Sequence, residues 1–323
     1  MLANLPALLR VVNATEPLPT LTIAPDCMPM PPQRMRLSLL ALLAIVGLLA
    51  NLTACWAVPP TERTTPRFTA ERYFEGKALE LAKAVDRNDA TAIRRLIKEE
   101  DVNPDTIFTD QAMPMVAWPV LNRNLTGLRL LLEAGADPNA RRIDAKRKSG
   151  QQRNNAMVLA ASEPDSRYLA MLLDHGGDPN THNSNGEALT YVAYLRNQWP
   201  NVQLLIERGA NINEGLYEAG SYNTVVGWYS SFGNFDKVHW LLKKGPDVTR
   251  TTPTQPGSAN PTRMPIVDEI YWLPVKPEMV EWQRKCQHWL RDRGIERPPM
   301  PIYLKERRQK LGLPSEEKDI PLL

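Results

Sequence analysis

The chain has little of what most chemistries need. Three cysteines in 323 residues, Cys27, Cys55 and Cys286, are too few for a disulfide framework or a four-ligand zinc site. Four histidines, His175, His182, His239 and His288, are scattered along the chain with no His-Glu-x-x-His spacing and no paired cysteines beside them, so no metal centre is expected. There is no Gly-x-Ser-x-Gly elbow and no glycine-rich phosphate loop. The acids Glu99, Glu100 and Asp101 sit at a helix end and read as a solvated cap, not an acid-base pair. The excess of 39 Lys+Arg over 36 Asp+Glu is too small for a field that holds nucleic acid. The composition thus argues against an enzyme, a cofactor protein and a DNA or RNA binder.

One uncharged run stands out, Leu37–Leu49, LSLLALLAIVGLL. It is short for a bilayer span of about 18–20 residues, and Arg34 and Arg36 precede it in the order of an export signal. Leu52-Thr53-Ala54-Cys55 follows and resembles a bacterial lipobox, which implies lipidation at Cys55 and a mature chain starting there. Trp56 in place of Asp is the pattern of lipoproteins sent to the inner leaflet of the outer membrane, facing the periplasm. Residues 1–34 are Pro-rich and fit no export signal, so Met35 is the more natural initiator, 35–54 the signal peptide and 55–72 a tether.

The body repeats itself. LLEAGADPN (131–139), LLDHGGDPN (172–180), LLIERGANIN (204–213) and LLKKGPDVT (241–249) are one pattern, a helix end followed by glycine and an Asp/Asn turn. Ahead of each glycine an apolar triad at i, i+3 and i+4 marks one helix face: Ile93/Leu96/Ile97, Leu128/Leu131/Leu132, Leu169/Leu172/Leu173, Val202/Leu205/Ile206, Val238/Leu241/Leu242 and, less cleanly, Cys286/Trp289/Leu290. First members lie 35, 41, 33, 36 and 48 residues apart, a base period near 33 with insertions.

These strings are similar to ankyrin repeats. The resemblance implies an all-α solenoid of five repeats and a degenerate sixth over residues 73–294, with a capping first repeat and a C-terminal extension, 295–323. Twenty-one residues before Gly176, Gly209 and Gly245 stand Asn155, Ala188 and Thr224, each opening a short helix. Val158, Tyr191 and Gly227 replace the family's histidine, and Met113-Pro114 is taken as the only pair like its Thr-Pro. Weaker hydrogen bonding between repeats is therefore expected.

Insertions project from a solenoid edge, often the binding edge. The extra residues between the second and third repeats carry Arg141, Arg142, Lys146, Arg147 and Lys148, a basic loop for an acidic partner or anionic lipid head groups, or else a solvated one; Thr251–Pro265 reads as a flexible bulge. Tyr191, Trp228, Tyr222, Trp118, Tyr194, Trp199, Tyr229 and Phe232 cluster in or beside the first helices and their turns, about half of them as packing between repeats and the rest as aromatic anchors of an interface, and Glu187 stands beside them. Address and scaffold together resemble ankyrin-repeat immunity lipoproteins, which imply a lipase or phospholipase effector of a type VI secretion system as partner and a monomer when free. A periplasmic adaptor or stress-protection protein bound to an endogenous partner is the alternative.

Overall fold

The computed structural model describes residues 67–109, 113–142, 153–216, 222–254 and 261–323, all within one compact unit, Pro59–Leu323. Cys55, Lys146, Arg147 and Lys148, residues 55–66 of the tether and most of the basic insertion lie outside the described residues.

Six helix pairs follow one another: α1 (Gly76–Asp86) and α2 (Ala90–Lys98); α3 (Trp118–Asn122) and α4 (Leu125–Glu133); α5 (Ala156–Ser162) and α6 (Ser166–Asp174); α7 (Leu189–Leu195) and α8 (Trp199–Glu207); α9 (Val225–Ser231) and α10 (Phe235–Leu242); α11 (Pro265–Trp272) and α12 (Val280–Arg291). First helices stack on first helices and second on second, with each pair packed on itself, so the chain is an all-α ankyrin-repeat solenoid. The sequence explains the register. The first two members of the five clean triads are buried in a continuous core, as are Cys286 and Leu290 of the sixth. Gly135, Gly176, Gly209, Gly245 and Gly294 take positive φ just past the second helices, where a Cβ is strained.

Repeats are coupled through their turns. In each Asp/Asn-x-Asn/Thr turn the first side chain accepts from the backbone N–H two residues on, as Asp178 does from Asn180 at 2.9 Å. The residue at the turn's end reaches the next repeat: Asn139 Oδ1 accepts from Asp178 N–H (2.7 Å), Asn180 from Asn211 (2.8 Å) and Asn213 from Asp247 (2.7 Å). A second set of ties is buried. Asn124 donates to Val85 O at 2.9 Å, and Asn201 donates to Ala161 O and Glu163 O at 3.0 and 2.8 Å. Where histidine is absent, asparagine therefore ties one repeat to the next, its amide donating to a carbonyl or its oxygen accepting from an N–H of the neighbouring repeat.

Three further readings change. The sixth repeat is a complete helix pair, and Met264-Pro265 opens its first helix as a second Thr-Pro-like pair, proline fitting the first helical position where no N–H is needed. Thr251–Pro265 contains a two-stranded antiparallel ribbon, β1 (Thr252–Pro253) with β2 (Thr262–Arg263), joined through residues outside those described. Beyond the repeats α13 (Ile302–Lys310) covers the last pair, with Leu304 fully buried.

Candidate protein-interaction surface

Between the fourth and fifth repeats aromatic rings do the work that aliphatic side chains do elsewhere. Trp228 of α9 packs on Tyr191 (5.5 Å between centroids) and Tyr194 (5.9 Å) of α7. Tyr194 meets Tyr229 edge-on at 5.0 Å, Tyr229 meets Trp199 at 5.2 Å, and Trp199 meets Trp240 of α10 at 5.4 Å. Such offset and edge contacts add about 0.5–1.5 kcal/mol per pair beyond burial. The seam therefore runs from the first-helix layer to the second. At its first-helix end Leu195 and Phe232 are 56% and 65% exposed, large apolar side chains left to solvent at the helix C-termini.

The residues singled out from sequence fall in different places. Tyr191 and Trp228 are half-buried neighbours in this seam, and Trp228 Nε1–H has no acceptor among the described residues. Tyr222 is half-buried, and its backbone explains the missing histidine: a Cβ at Gly227 would stand 2.2 Å from Tyr222 O. Glu187 is buried, with its carboxylate accepting from Asn183 Nδ2 at 2.6 Å, so it closes the loop before α7. Trp118 is core, packed against Tyr73 and Phe74. Arg142 is exposed at the start of the basic insertion. Arg141 is not a solvated charge: its guanidinium donates to His182 O at 2.6 Å, tying the insertion to the next turn.

His182 in turn pairs with Glu214 at 2.5 Å. That hydrogen bond raises the imidazole's pKa above its ordinary value, against partial burial and the charge of Arg141. Among the described residues no group of three or more His, Cys, Asp or Glu is gathered as a metal requires, and no helix is long and apolar enough to cross a membrane.

A second surface escaped the sequence reading. On the second helices α8, α10 and α12 a groove of about 700 Å³ is lined by Trp199, Trp240, Trp282, Lys237, Lys243 and Lys285, with Gln203, Asp236 and His239. The available signal was Trp240, which stands off the Val238/Leu241/Leu242 face that the core uses.

No protein-family model matches the chain. It is similar to Protein PhlB from Serratia liquefaciens, 29% identical over 154 residues, 47% of this chain and 60% of that protein. It is also similar to a protein described as ankyrin repeat-containing from Treponema pallidum (strain Nichols), 33% identical over 93 residues, 29% of this chain. The chain spans 60% and 28% of the length of these two relatives. Among solved structures it resembles the ankyrin repeat domain of Bcl-3, a member of the IkappaB protein family (TM-score 0.47, 23% identity, 66% of this chain and 85% of that one). EF0377, an ankyrin repeat protein, is a further likeness (TM-score 0.43, 22% identity, 55% and 85%). The assignment of fold rests on the helix pairs themselves. An ankyrin-repeat fold is typically a non-catalytic scaffold for binding protein.

Proposed function

We propose that this is a lipid-anchored, periplasm-facing ankyrin-repeat protein that binds and neutralises a protein partner, a phospholipase effector of a type VI secretion system. The observation that carries partner binding is the first-helix end of the aromatic seam, where Tyr191 and Trp228 lie with the solvent-exposed Leu195 and Phe232. Tyr and Trp are the usual anchors of protein interfaces, and contiguous exposed apolar surface marks interaction sites. The export run 37–49 and the lipobox-like Leu52–Cys55 support the address. A tether at Cys55 keeps the inhibitor at the membrane that a phospholipase attacks and raises its local concentration there.

The test is growth of cells that export the product of the adjacent reading frame to the periplasm, with and without this protein. Lysis prevented by the wild type, and prevented poorly by Cys55→Ala, is the expected result. Toxicity that the protein does not relieve removes the immunity reading and leaves an adaptor for an endogenous partner.

A further inference from the structure

The groove on the second helices gathers three lysines around a single acid. Other cations on or just past the second helices do find carboxylates: Arg95 pairs with Glu100, Arg129 with Glu133, Arg208 with Asp174 and Arg284 with Glu281. Among the described residues Lys237, Lys243 and Lys285 make no ion pair, and Asp236 is the one acid in the lining. Two of these ammonium groups are instead held over aromatic faces. Lys237 lies 5.2 Å from the centroid of Tyr229 and 5.8 Å from that of Trp199, and Lys285 lies 4.3 Å from that of Trp282. A cation over an indole keeps its outward side for an anion. Trp199 meets Trp240 edge-on at 5.4 Å and Trp282 lies 5.6 Å from His239, so three indoles line the groove together with the lysines. The volume lies within the usual range of ligand-holding clefts, about 300–1,000 Å³.

We propose that this groove docks an acidic segment of the protein partner, one that sets carboxylates against Lys237, Lys243 and Lys285 and an apolar side chain among Trp199, Trp240 and Trp282. The inference rests on the reading that the partner is a protein. It places a second contact on the layer opposite the Tyr191–Trp228 surface, so that the partner grips both faces of repeats four to six. A protein segment fits better than a flat bilayer, because the lysines and indoles line a recess.

His239 reports occupancy. Burial, then Lys243 and Lys285, hold its pKa below the ordinary value of about 6.5, and carboxylates entering the groove reverse the second influence.

The experiment titrates the toxic product of the growth test against the wild type and against the Lys243→Glu/Lys285→Glu double variant. Lys243 is exposed and Lys285 half-exposed, so charge reversal leaves the core intact, and an unchanged melting curve checks this. We expect affinity about tenfold weaker in the variant, a smaller salt dependence, and an upward shift of the His239 titration by NMR in the wild-type complex. Equal affinity of variant and wild type overturns the proposal while leaving partner binding standing. No binding by the wild type removes the reading underneath, and the proposal with it. Sedimentation with phosphatidylglycerol vesicles that the double variant loses, with binding of the toxic product unchanged, assigns the groove to a membrane and overturns the proposal as well.

Discussion

The two ends of the solenoid are closed by different chemistry. At the N-terminal end residues 67–74 fold back on the first two repeats. Tyr73 and Phe74 pack on Trp118 and Phe68 packs on Tyr73; Trp118 Nε1–H donates to Asp86 at 2.9 Å, and Asn122 joins Asp86 to Phe68 O. At the C-terminal end α13 and the chain around it cover α11. Trp272 Nε1–H donates to Pro298 O at 2.9 Å, Arg308 donates to Trp272 O at 2.8 Å, and two buried acids lie beneath: Asp268 against Arg263 at 3.1 Å and Glu269 against Tyr303 at 2.8 Å. Each end uses a tryptophan as its plug. One then satisfies a single half-buried acid with neutral donors, and the other buries two acids with one arginine and one phenol. A terminal repeat has no neighbour to cover its face, and any segment that covers it must also satisfy the polar groups it shuts in.

The largest effect that tests this equivalence is removal of the plugs. Trp118 and Trp272 are 1% and 0% exposed, and replacement of either by Ala is expected to cost about 3–5 kcal/mol in denaturant unfolding. Because coupling is between neighbours, hydrogen exchange should rise in the first repeat for Trp118→Ala and in the last pair and α13 for Trp272→Ala. Protection lost uniformly along the chain would break the comparison, since it makes the whole solenoid one cooperative unit.

The acids should make the ends differ in their response to pH. Burial raises Asp268 to about 6, more than the hydrogen bond and charge of Arg263 lower it. Burial also raises Asp86, against its hydrogen bonds from Trp118 and Asn122. Between the unfolded value near 3.8 and about 6 the folded chain holds the Asp268 proton that the unfolded chain has released, so this contribution to stability is lost as pH rises through that window. A shift of this size corresponds to something on the order of 2–3 kcal/mol. Thermal midpoints of Asp268→Asn followed from pH 4 to 7 should show a shallower decline with rising pH than the wild type, the remainder belonging to Glu269, which burial also raises, and Asp86→Asn should remove less. Parallel profiles for both variants would erase the difference between the ends.

How far this was legible follows from the same contrast. The triads, the glycines after the second helices and the Asp/Asn turns are local patterns with a recurring period, and the solenoid is legible from them alone. What closes an end or fills a junction is not periodic. Asp268 and Glu269 look like exposed helix residues until α13, more than thirty residues later, is laid over them. Met264-Pro265 does not stand out in the sequence, because the 48-residue spacing from Val238 to Cys286 holds a ribbon ahead of a complete pair. The aromatic cluster was visible as composition, yet composition does not separate Trp118 in the core from Trp228 in the seam. Trp240 and Trp282 form a groove only because α10 and α12 stand side by side, a relation that belongs to packing and not to spacing.

The smallest effect belongs to the middle, against which both ends are measured. His182 and Glu214 join the turns flanking the fourth repeat, with side chains 33% and 26% exposed, so the pair is worth about 0.5–1 kcal/mol after screening. The histidine's folded pKa lies above its unfolded value of about 6.5, chiefly through the hydrogen bond to Glu214. Its contribution is therefore complete below pH 6.5 and disappears as pH rises through the folded value. His182→Gln should lower the midpoint more at pH 5.5 than at pH 8.5, each measured against the wild type at the same pH so that the titration of Asp268, common to both chains, cancels. A deficit independent of pH would mean that the imidazole acts through shape alone, and that the pH dependence of stability belongs to the two ends. A deficit confined to low pH makes the middle and the C-terminal end titrate in adjoining windows.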